Sequence, residues 1–364
     1  MRGLILLLLT LAGALAPLQA QDVLGNLRDH GLGFAQVTPG RGLQFPRDHG
    51  AHPDFRIEWW YLTANLTDPA GRQWGLQWTL FRQALSPRQV KAGWRSNQVW
   101  MAHAAITTPE GHFYEQRYAR GGIGQAGVNR IGDDGYFNAW IDDWEWRSQD
   151  AAMFPAKLRF NVGEREIILL LESTGELVAN GVDGYSQKSA QGQASYYYSQ
   201  PHLRVRGYVN QGKEKIYLSG KGWLDREWSS QALADNQQGW DWFSLHLDDG
   251  HKLMVYQLRH DDGQHWLSGN WIDAHGNAEL LEENSIELRS IRSGNIKTGE
   301  DQSRELPLEW RLTLVDQQLS WRIRPLYDQQ WMGTHIPYWE GVVLVEDEQG
   351  APAGVGYMEL TGYQ

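Results

Sequence analysis

The chain has 364 residues, no cysteine, 33 basic and 44 acidic side chains, and a formal charge of −11. That acidic balance argues against nucleic acid or an anionic membrane surface as a partner. The absence of cysteine excludes disulfides, thiolate metal sites and thiol nucleophiles, so a sizeable apolar core has to hold the fold.

The N-terminus reads as a targeting segment. Arg2 supplies a positive start, Leu4 to Ala16 an apolar stretch, and Leu18-Gln19-Ala20 a small-residue cleavage site before Gln21. Residues 1–20 are therefore expected to be a signal peptide. The stretch is short for a membrane span, and no later run reaches about 18 apolar residues. The mature chain is expected in the periplasm, without a transmembrane segment. Removing Arg2 leaves 32 basic residues and a charge of −12. Residues 21–55 show no periodicity and read as an irregular segment wrapped around a barrel.

From residue 56 onward period-2 alternation takes over. Leu308, Trp310, Leu312 and Leu314 alternate with polar neighbours, as do Leu319, Trp321 and Ile323, and Phe243, Leu245 and Leu247. Such alternation marks half-buried antiparallel strands. Turn signals such as Thr108-Pro109-Glu110-Gly111, Asp248-Asp249-Gly250 and Asp261-Asp262-Gly263 separate them. No amphipathic helix stands out. The prediction is an all-β chain with a first barrel over 56–234, a second over 235–364, and a boundary near Gln231 to Gln238. About eight to ten strands in each half make barrels just wide enough for a small ligand. The chain also resembles itself. Trp59 and Tyr61 align with Trp240 and Trp242, Leu76 and Phe81 with Leu253 and Leu258, and Trp100 and Ile106 with Trp266 and Ile272. Three matched strands in one order predict a tandem duplication.

The junction of the halves carries the densest chemistry. Trp223-Leu224-Asp225-Arg226-Glu227-Trp228 is followed by Trp240-Asp241-Trp242-Phe243. Along a strand Asp225 and Glu227 share one face, and Arg226 and Trp228 the other. A carboxyl in an aromatic, water-poor pocket holds its proton and can act as a general acid. The alternative is an Arg–carboxylate node tying the barrels together, with Asp241 as a further partner. Glu58 and His103 are the other candidates, His103 pointing into a barrel with Met101 and Ala105 and Glu58 orienting it. Trp60, Trp228 and Trp242 are expected to line a ligand, while most of the 19 tryptophans fill barrel cores. No metal site or cofactor is expected: there is no His-Glu-x-x-His pair and no Gly-x-Ser-x-Gly elbow. Gly122-Ile123-Gly124-Gln125-Ala126-Gly127 lacks the strand–helix context of a dinucleotide loop.

Glu58-Trp59-Trp60-Tyr61, Trp100-Met101-Ala102-His103-Ala104, Leu224-Asp225-Arg226-Glu227-Trp228-Ser229-Ser230-Gln231 and Gly356-Tyr357-Met358-Glu359-Leu360-Thr361-Gly362-Tyr363 together resemble the AttH/carotenoid hydratase (hydroxyneurosporene synthase) family. The resemblance implies two tandem lipocalin-like antiparallel β-barrels. It also implies a cofactor-free chemistry in which an acid protonates an alkene and aromatic faces shield the cation until water attacks. It places Trp228 and Tyr256 at aromatic positions of the hydratase site, and puts Arg226 and Leu258 where the hydratases carry His and Asp. Exported bacterial relatives are linked with ABC-type export systems.

Three functions are therefore expected in turn. The first is an exported protein binding a large apolar or amphipathic ligand, a lipid or terpenoid, beside an ABC exporter. In it Glu58, Trp60, His103, Arg226, Trp228, Asp241 and Trp242 contact the ligand. The second is a hydratase with Asp225 or Glu227 as the acid and Tyr256 positioning water. The third is a carbohydrate hydrolase with paired carboxylates on a tryptophan platform.

Overall fold

The computed structural model describes residues 31–88, 93–129, 135–231 and 233–363. The expected signal peptide and residues 21–30 lie outside the described residues.

Apart from three short 3-10 turns, the regular elements among the described residues are strands. The first sheet contains β1 (Ile57–Thr67), β2 (Gln73–Ala84), β3 (Gln98–Thr108), β4 (Gly111–Arg120), β5 (Ala126–Val128), β6 (Asn138–Ile141) and β7 (Trp144–Ser148). It continues with β8 (Ala156–Val162), β9 (Arg165–Ser173), β10 (Val178–Ala179), β11 (Tyr185–Gln187), β12 (Ala194–Gln211) and β13 (Glu214–Ser229). The second sheet contains β14 (Gln237–Leu247), β15 (Lys252–His260), β16 (His265–Ile272), β17 (Ala278–Leu281) and β18 (Ile286–Lys297). Its remaining strands are β19 (Ser303–Leu314), β20 (Leu319–Pro325), β21 (Trp331–Met332), β22 (Tyr338–Glu346) and β23 (Pro352–Leu360). The first sheet runs β4-β3-β2-β1-β13-β12-β9-β8-β7-β6-β5 and curls into a nearly closed barrel. The second runs β17-β16-β15-β14-β23-β22-β20-β19-β18 and forms a half-barrel. The first sheet's 13 strands exceed the expected eight to ten. Its surplus includes β5, β10 and β11, each of two or three residues and too short to carry an alternation signal.

Both sheets bury one face of every central strand. Trp60, Leu62 and Ala64 of β1 and Trp78 and Leu80 of β2 fill the first interior, together with Trp144 and Trp146. Phe243 and Leu245 of β14, Met358 of β23, and Trp310 and Trp339 fill the second. Side chains occupy both interiors, as in other small barrels. The outward faces of β1, β13, β14, β22 and β23 meet in a third apolar cluster between the sheets, built on Tyr61, Trp223, Trp242, Val342 and Tyr357. The sheets approach so closely that a Cβ on Gly75 of β2 would stand 2.1 Å from Val342 of β22. Residues 31–55 are irregular except for the turn Arg47–His49 and lie along one end of the first barrel. There Trp60 donates to the His49 carbonyl and Tyr196 to that of Thr38.

The internal likeness is visible in the pairing. Trp59 stands opposite Phe81 as Trp240 stands opposite Leu258, and Ala64 opposite Leu76 as Leu245 opposite Leu253. The third strand departs from the alignment by one residue. Trp100 pairs with Arg82, but Arg259, the counterpart of Arg82, pairs with His265, not Trp266. A slip of one residue moves a side chain to the other face, so Trp100 and Trp266 are not equivalent. Each half also brings its last long strand back beside its first. Tyr61 pairs with Asp225, and its counterpart Trp242 pairs with Glu359. Asp225 and Glu359 thus occupy the same position in the two halves.

Candidate functional site

A cavity of about 190 Å³ lies between the sheets. Its first wall carries Trp59 and Tyr61 of β1, Asp225 and Glu227 of β13, and Tyr197 of β12; its second carries Trp240, Trp242, Tyr256 and Glu359. Strand alternation puts them there. With Trp60 and Leu62 committed to the first core, Trp59 and Tyr61 must point outward, and cross-strand pairing sets Glu227 and Asp225 beside them. The short strands β10 and β11 fold over one side. Tyr256 bonds there to Ser186 (3.1 Å) and to the Gln187 carbonyl (3.2 Å), and Lys188 enters the wall. Partly exposed Phe81, Met101, Ile336 and Pro337 form the outer rim.

Carboxyl groups dominate the electrostatics. Asp225 is 2% exposed. Its Oδ1 accepts from the Trp223 indole (3.0 Å) and the Ser199 hydroxyl. Its Oδ2 makes no hydrogen bond among the described residues, with Tyr197 the nearby hydroxyl. Burial is the main cause that lifts Asp225 to about 7, and the charge of Glu227 adds to it against the Ser199 and Trp223 hydrogen bonds. Glu359 accepts from the Trp240 indole at 2.6 Å and is also raised to about 7, first by burial and then by the charges of Asp225 and Glu227. Glu340 stands directly opposite Glu359 on β22 and accepts from Tyr61 at 2.6 Å. Burial and the facing Glu359 push it well above the carboxylate range. Like charges directly opposite repel, so this pair cannot be doubly ionised without penalty. Glu227 differs, because Lys188 Nζ lies 2.9 Å from it and 4.2 Å from the centre of the Tyr256 ring. Burial opposes the Lys188 charge, but Glu227 and Tyr256 hold the amine above its ordinary value. Burial, with neighbouring carboxylates, lifts the Tyr61 and Tyr197 phenols well above their usual range, so they stay protonated. At neutral pH the cavity therefore holds one ion pair and several carboxyls that carry or readily accept a proton.

The opposite face of the same strands carries ion pairs. Glu58 is buried beside Arg82, His52 (3.1 Å) and Arg226 (3.3 Å). Burial alone would raise its pKa; Arg82, His52 and Arg226 overcome that and hold it well below the usual range. Arg226 also donates to the Trp59 and Gly50 carbonyls and lies 3.8 Å over the Trp60 ring. His52 stacks on Trp228 with centroids 4.0 Å apart and reaches Asp48, which Arg41 binds in turn. This network fastens the N-terminal segment to the end of the first barrel.

Of the sequence-predicted residues, Asp225, Glu227, Tyr256 and Trp242 are brought together at the cavity, and His103 joins them. Trp60, Arg226, Trp228 and Asp241 are not cavity-lining. They alternate with residues that are, and so face the other way. Arg226 pairs with Glu58, whereas Asp241 pairs with Arg259 and accepts from Gln257 (2.6 Å) inside the second sheet. Glu58 borders the cavity, but its carboxylate belongs to the Arg network and does not orient His103. His103 lies on the outward face of β3, not inside a barrel, because Trp100, Ala102, Ala104 and Ile106 fill the interior. Its Nδ1 meets the Tyr338 hydroxyl at 2.9 Å, and burial lowers it to about 3, so the ring is neutral. Sequence reasoning missed Tyr61, Lys188, Tyr197, Glu340 and Glu359 as site residues. For Glu359 a signal existed, since the alignment of Trp59 with Trp240 extends to their strand partners. Lys188 and Glu340 carry no pattern of their own.

Comparison with known proteins agrees with this architecture. The sequence profile of the AttH-like family matches residues 36–363. A crystal structure of a protein from Nitrosomonas europaea described as an AttH shares 35% identity with a TM-score of 0.79, over 91% of this chain and all of that one. Kievitone hydratase from Nectria haematococca shares the fold at 16% identity, TM-score 0.65, over 90% of this chain and 95% of its own. The structure of CghA with Sch210972 does so at 12% identity and TM-score 0.52, over 93% and 97%. No curated protein matches. The profile match over nearly the whole described chain, joined to a relative at 35% identity, shows that this protein belongs to the AttH-like family.

Proposed function

We propose that the chain binds an unsaturated apolar or amphipathic ligand between its two sheets and adds water across a double bond without a cofactor. The observation that carries this reading is Asp225: a buried carboxyl in an aromatic cavity that keeps its proton until about pH 7. A general acid works best when its pKa lies near the operating pH. In the proposed step the Asp225 proton passes to one alkene carbon, leaving a cation on the other. Trp242, Trp240 and Tyr61 line the cavity, and aromatic faces attract positive charge. A water oxygen bonds to the cation and its surplus proton returns to a wall carboxylate, so an alkene and one water become one alcohol. The sharing of this fold with a hydratase supports the reading.

Size narrows the ligand. An apolar cavity of about 150 Å³ holds a benzene, so 190 Å³ takes the branched end of a polyene or a small prenylated ring, not a whole long chain. The lining is mostly apolar and aromatic, which favours such a ligand over a sugar chain. Export through residues 1–20, and service to an ABC export system, would place the reaction on a ligand in transit through the periplasm.

The test is incubation with prenylbenzene and other small trisubstituted alkenes in ¹⁸O-water. The expected product is a tertiary alcohol carrying the label, absent with Asp225→Asn. Tight binding of these alkenes with no labelled alcohol would replace the enzyme by a ligand carrier.

A further inference from the structure

We propose that Glu359, sharing a proton with Glu340 through the Tyr61 hydroxyl, is the second acid–base residue of the cavity and takes the proton that water releases after Asp225 has protonated the ligand. The inference rests on the hydration reading above. Its grounds are positional. Asp225 and Glu359 are the same site in the two halves, each opposite an equivalent aromatic, Tyr61 or Trp242. Each accepts an indole N–H, from Trp223 (3.0 Å) or Trp240 (2.6 Å). Both line the same cavity, and each carboxylate is close enough to Glu227 for charge to be felt.

The second half adds what the first lacks. Where Asp225 faces Ser199 on the neighbouring strand, Glu359 faces Glu340. Tyr61 donates to Glu340 at 2.6 Å and also acts on Glu359. Tyr338 borders Glu340 as well, and its hydroxyl meets His103 Nδ1 at 2.9 Å. The Tyr61–Glu340 and Tyr338–His103 hydrogen bonds, with the electrostatic coupling of Tyr61 to Glu359 and of Tyr338 to Glu340, set exchangeable protons side by side from the cavity wall to His103, crossing from the second sheet to the first. Two carboxyls opposite each other hold one proton more readily than none. Glu340 is fully buried and keeps that proton, while Glu359, half-buried at the wall, is left as the acceptor.

The balance closes. Asp225 loses one proton to the ligand, Glu359 gains one from water, and passage from Glu359 back to Asp225 restores the start. A carboxylate at Glu359 also lies near the developing cation and favours it. Because the two acids repel when both are ionised, the working form has one protonated and one ionised, which yields a bell-shaped rate profile centred near neutrality.

Two measurements test this. Carboxyl carbon NMR on protein labelled at Glu and Asp follows Glu359 without any ligand. The expectation is a midpoint in the neutral range that falls in both Asp225→Asn and Glu340→Gln. With prenylbenzene as probe, Glu359→Gln should slow hydration by about 100-fold or more and remove the alkaline-rising limb of the profile, with Asp225 still titrating. Tyr61→Phe, which keeps the ring, should move the Glu359 midpoint even if Glu359→Gln folds poorly. A Glu359 ionised throughout the accessible range, or Glu359→Gln enzyme hydrating at the wild-type rate, would overturn the assignment and leave the hydration reading intact. Wild-type protein that hydrates nothing would bring down both, and is recognised because no variant is needed to see it.

Discussion

Asp225 lends itself to a test of stability rather than activity. Its carboxyl is raised from 3.8 to about 7, with burial the largest cause. A displacement of about three pH units corresponds to about 4 kcal/mol, each unit being about 1.4 kcal/mol. The sign follows from proton counting. Between the two values the folded chain holds a proton that the unfolded chain has lost. This contribution to stability is complete below about pH 4 and is lost as the pH rises through about 7. Asp225→Asn removes the titration while keeping an oxygen to accept from Trp223 and Ser199. The variant should match wild type near pH 4 and be more stable by up to about 4 kcal/mol near pH 8. Glu359 moves in the same direction, since its own pKa falls toward the unfolded value once the Asp225 charge is gone. Urea unfolding followed by tryptophan fluorescence at about pH 4, 6 and 8 measures it. If Asp225→Asn loses several kcal/mol at every pH, the residue is one half of an ion pair and the argument for a protonated acid fails.

The opposite face of the strand should behave in the opposite manner. Arg226→Met leaves Glu58 buried with one fewer cation, and a loss of about 3–5 kcal/mol is expected, checked by urea midpoints at neutral pH. Hydration of prenylbenzene by the folded variant should be nearly unaffected, since Arg226 does not line the cavity. For the export expected from residues 1–20, protein recovered from the periplasmic fraction should begin at Gln21 on N-terminal sequencing. Recovery only from the cytoplasm with Met1 retained would remove that expectation.

Alternation made much of this molecule legible. The strands around Trp59, Trp240, Leu308 and Leu319 were marked by period 2, and the same rule put Asp225 and Glu227 on one face and Arg226 and Trp228 on the other. Alternation gives two faces but does not say which is inside. His103 was read inward because its neighbours Met101 and Ala105 are apolar. Its face is indeed buried, but against a second sheet that no single strand announces. Similarly, the sequence suggests a node of Arg226 with its neighbouring carboxylates and Asp241 as a further partner. The partner that sets it, Glu58, lies far away along the chain and is joined to it by the pairing of β1 with β13. Contacts closed by strand pairing over such distances leave no local trace, and neither do two- or three-residue strands such as β10 and β11 that carry Lys188 to the wall.

The likeness of the two halves is where sequence and site meet most informatively. Folding two similar sheets with their outward faces together buries the same positions twice, so any polar residue there is desolvated by its counterpart. An ancestral half presenting one acid beside an aromatic pair would, on pairing with a copy, place two acids around one space. Neither can ionise as freely as it did in water. The Arg network shows the contrasting solution on the inner face, where Glu58 keeps its charge because Arg82 and Arg226 meet it. At the cavity Lys188 plays that part, and it is committed to Glu227. Three carboxyls, Asp225, Glu340 and Glu359, are left to share protons instead. A cluster selected for stability alone would sooner have gained cations or lost acids, as buried pairs are readily replaced by apolar residues without loss of stability. Three such groups among tryptophans and tyrosines are why the proposed proton transfer is assigned to the space between the sheets and to neither barrel interior.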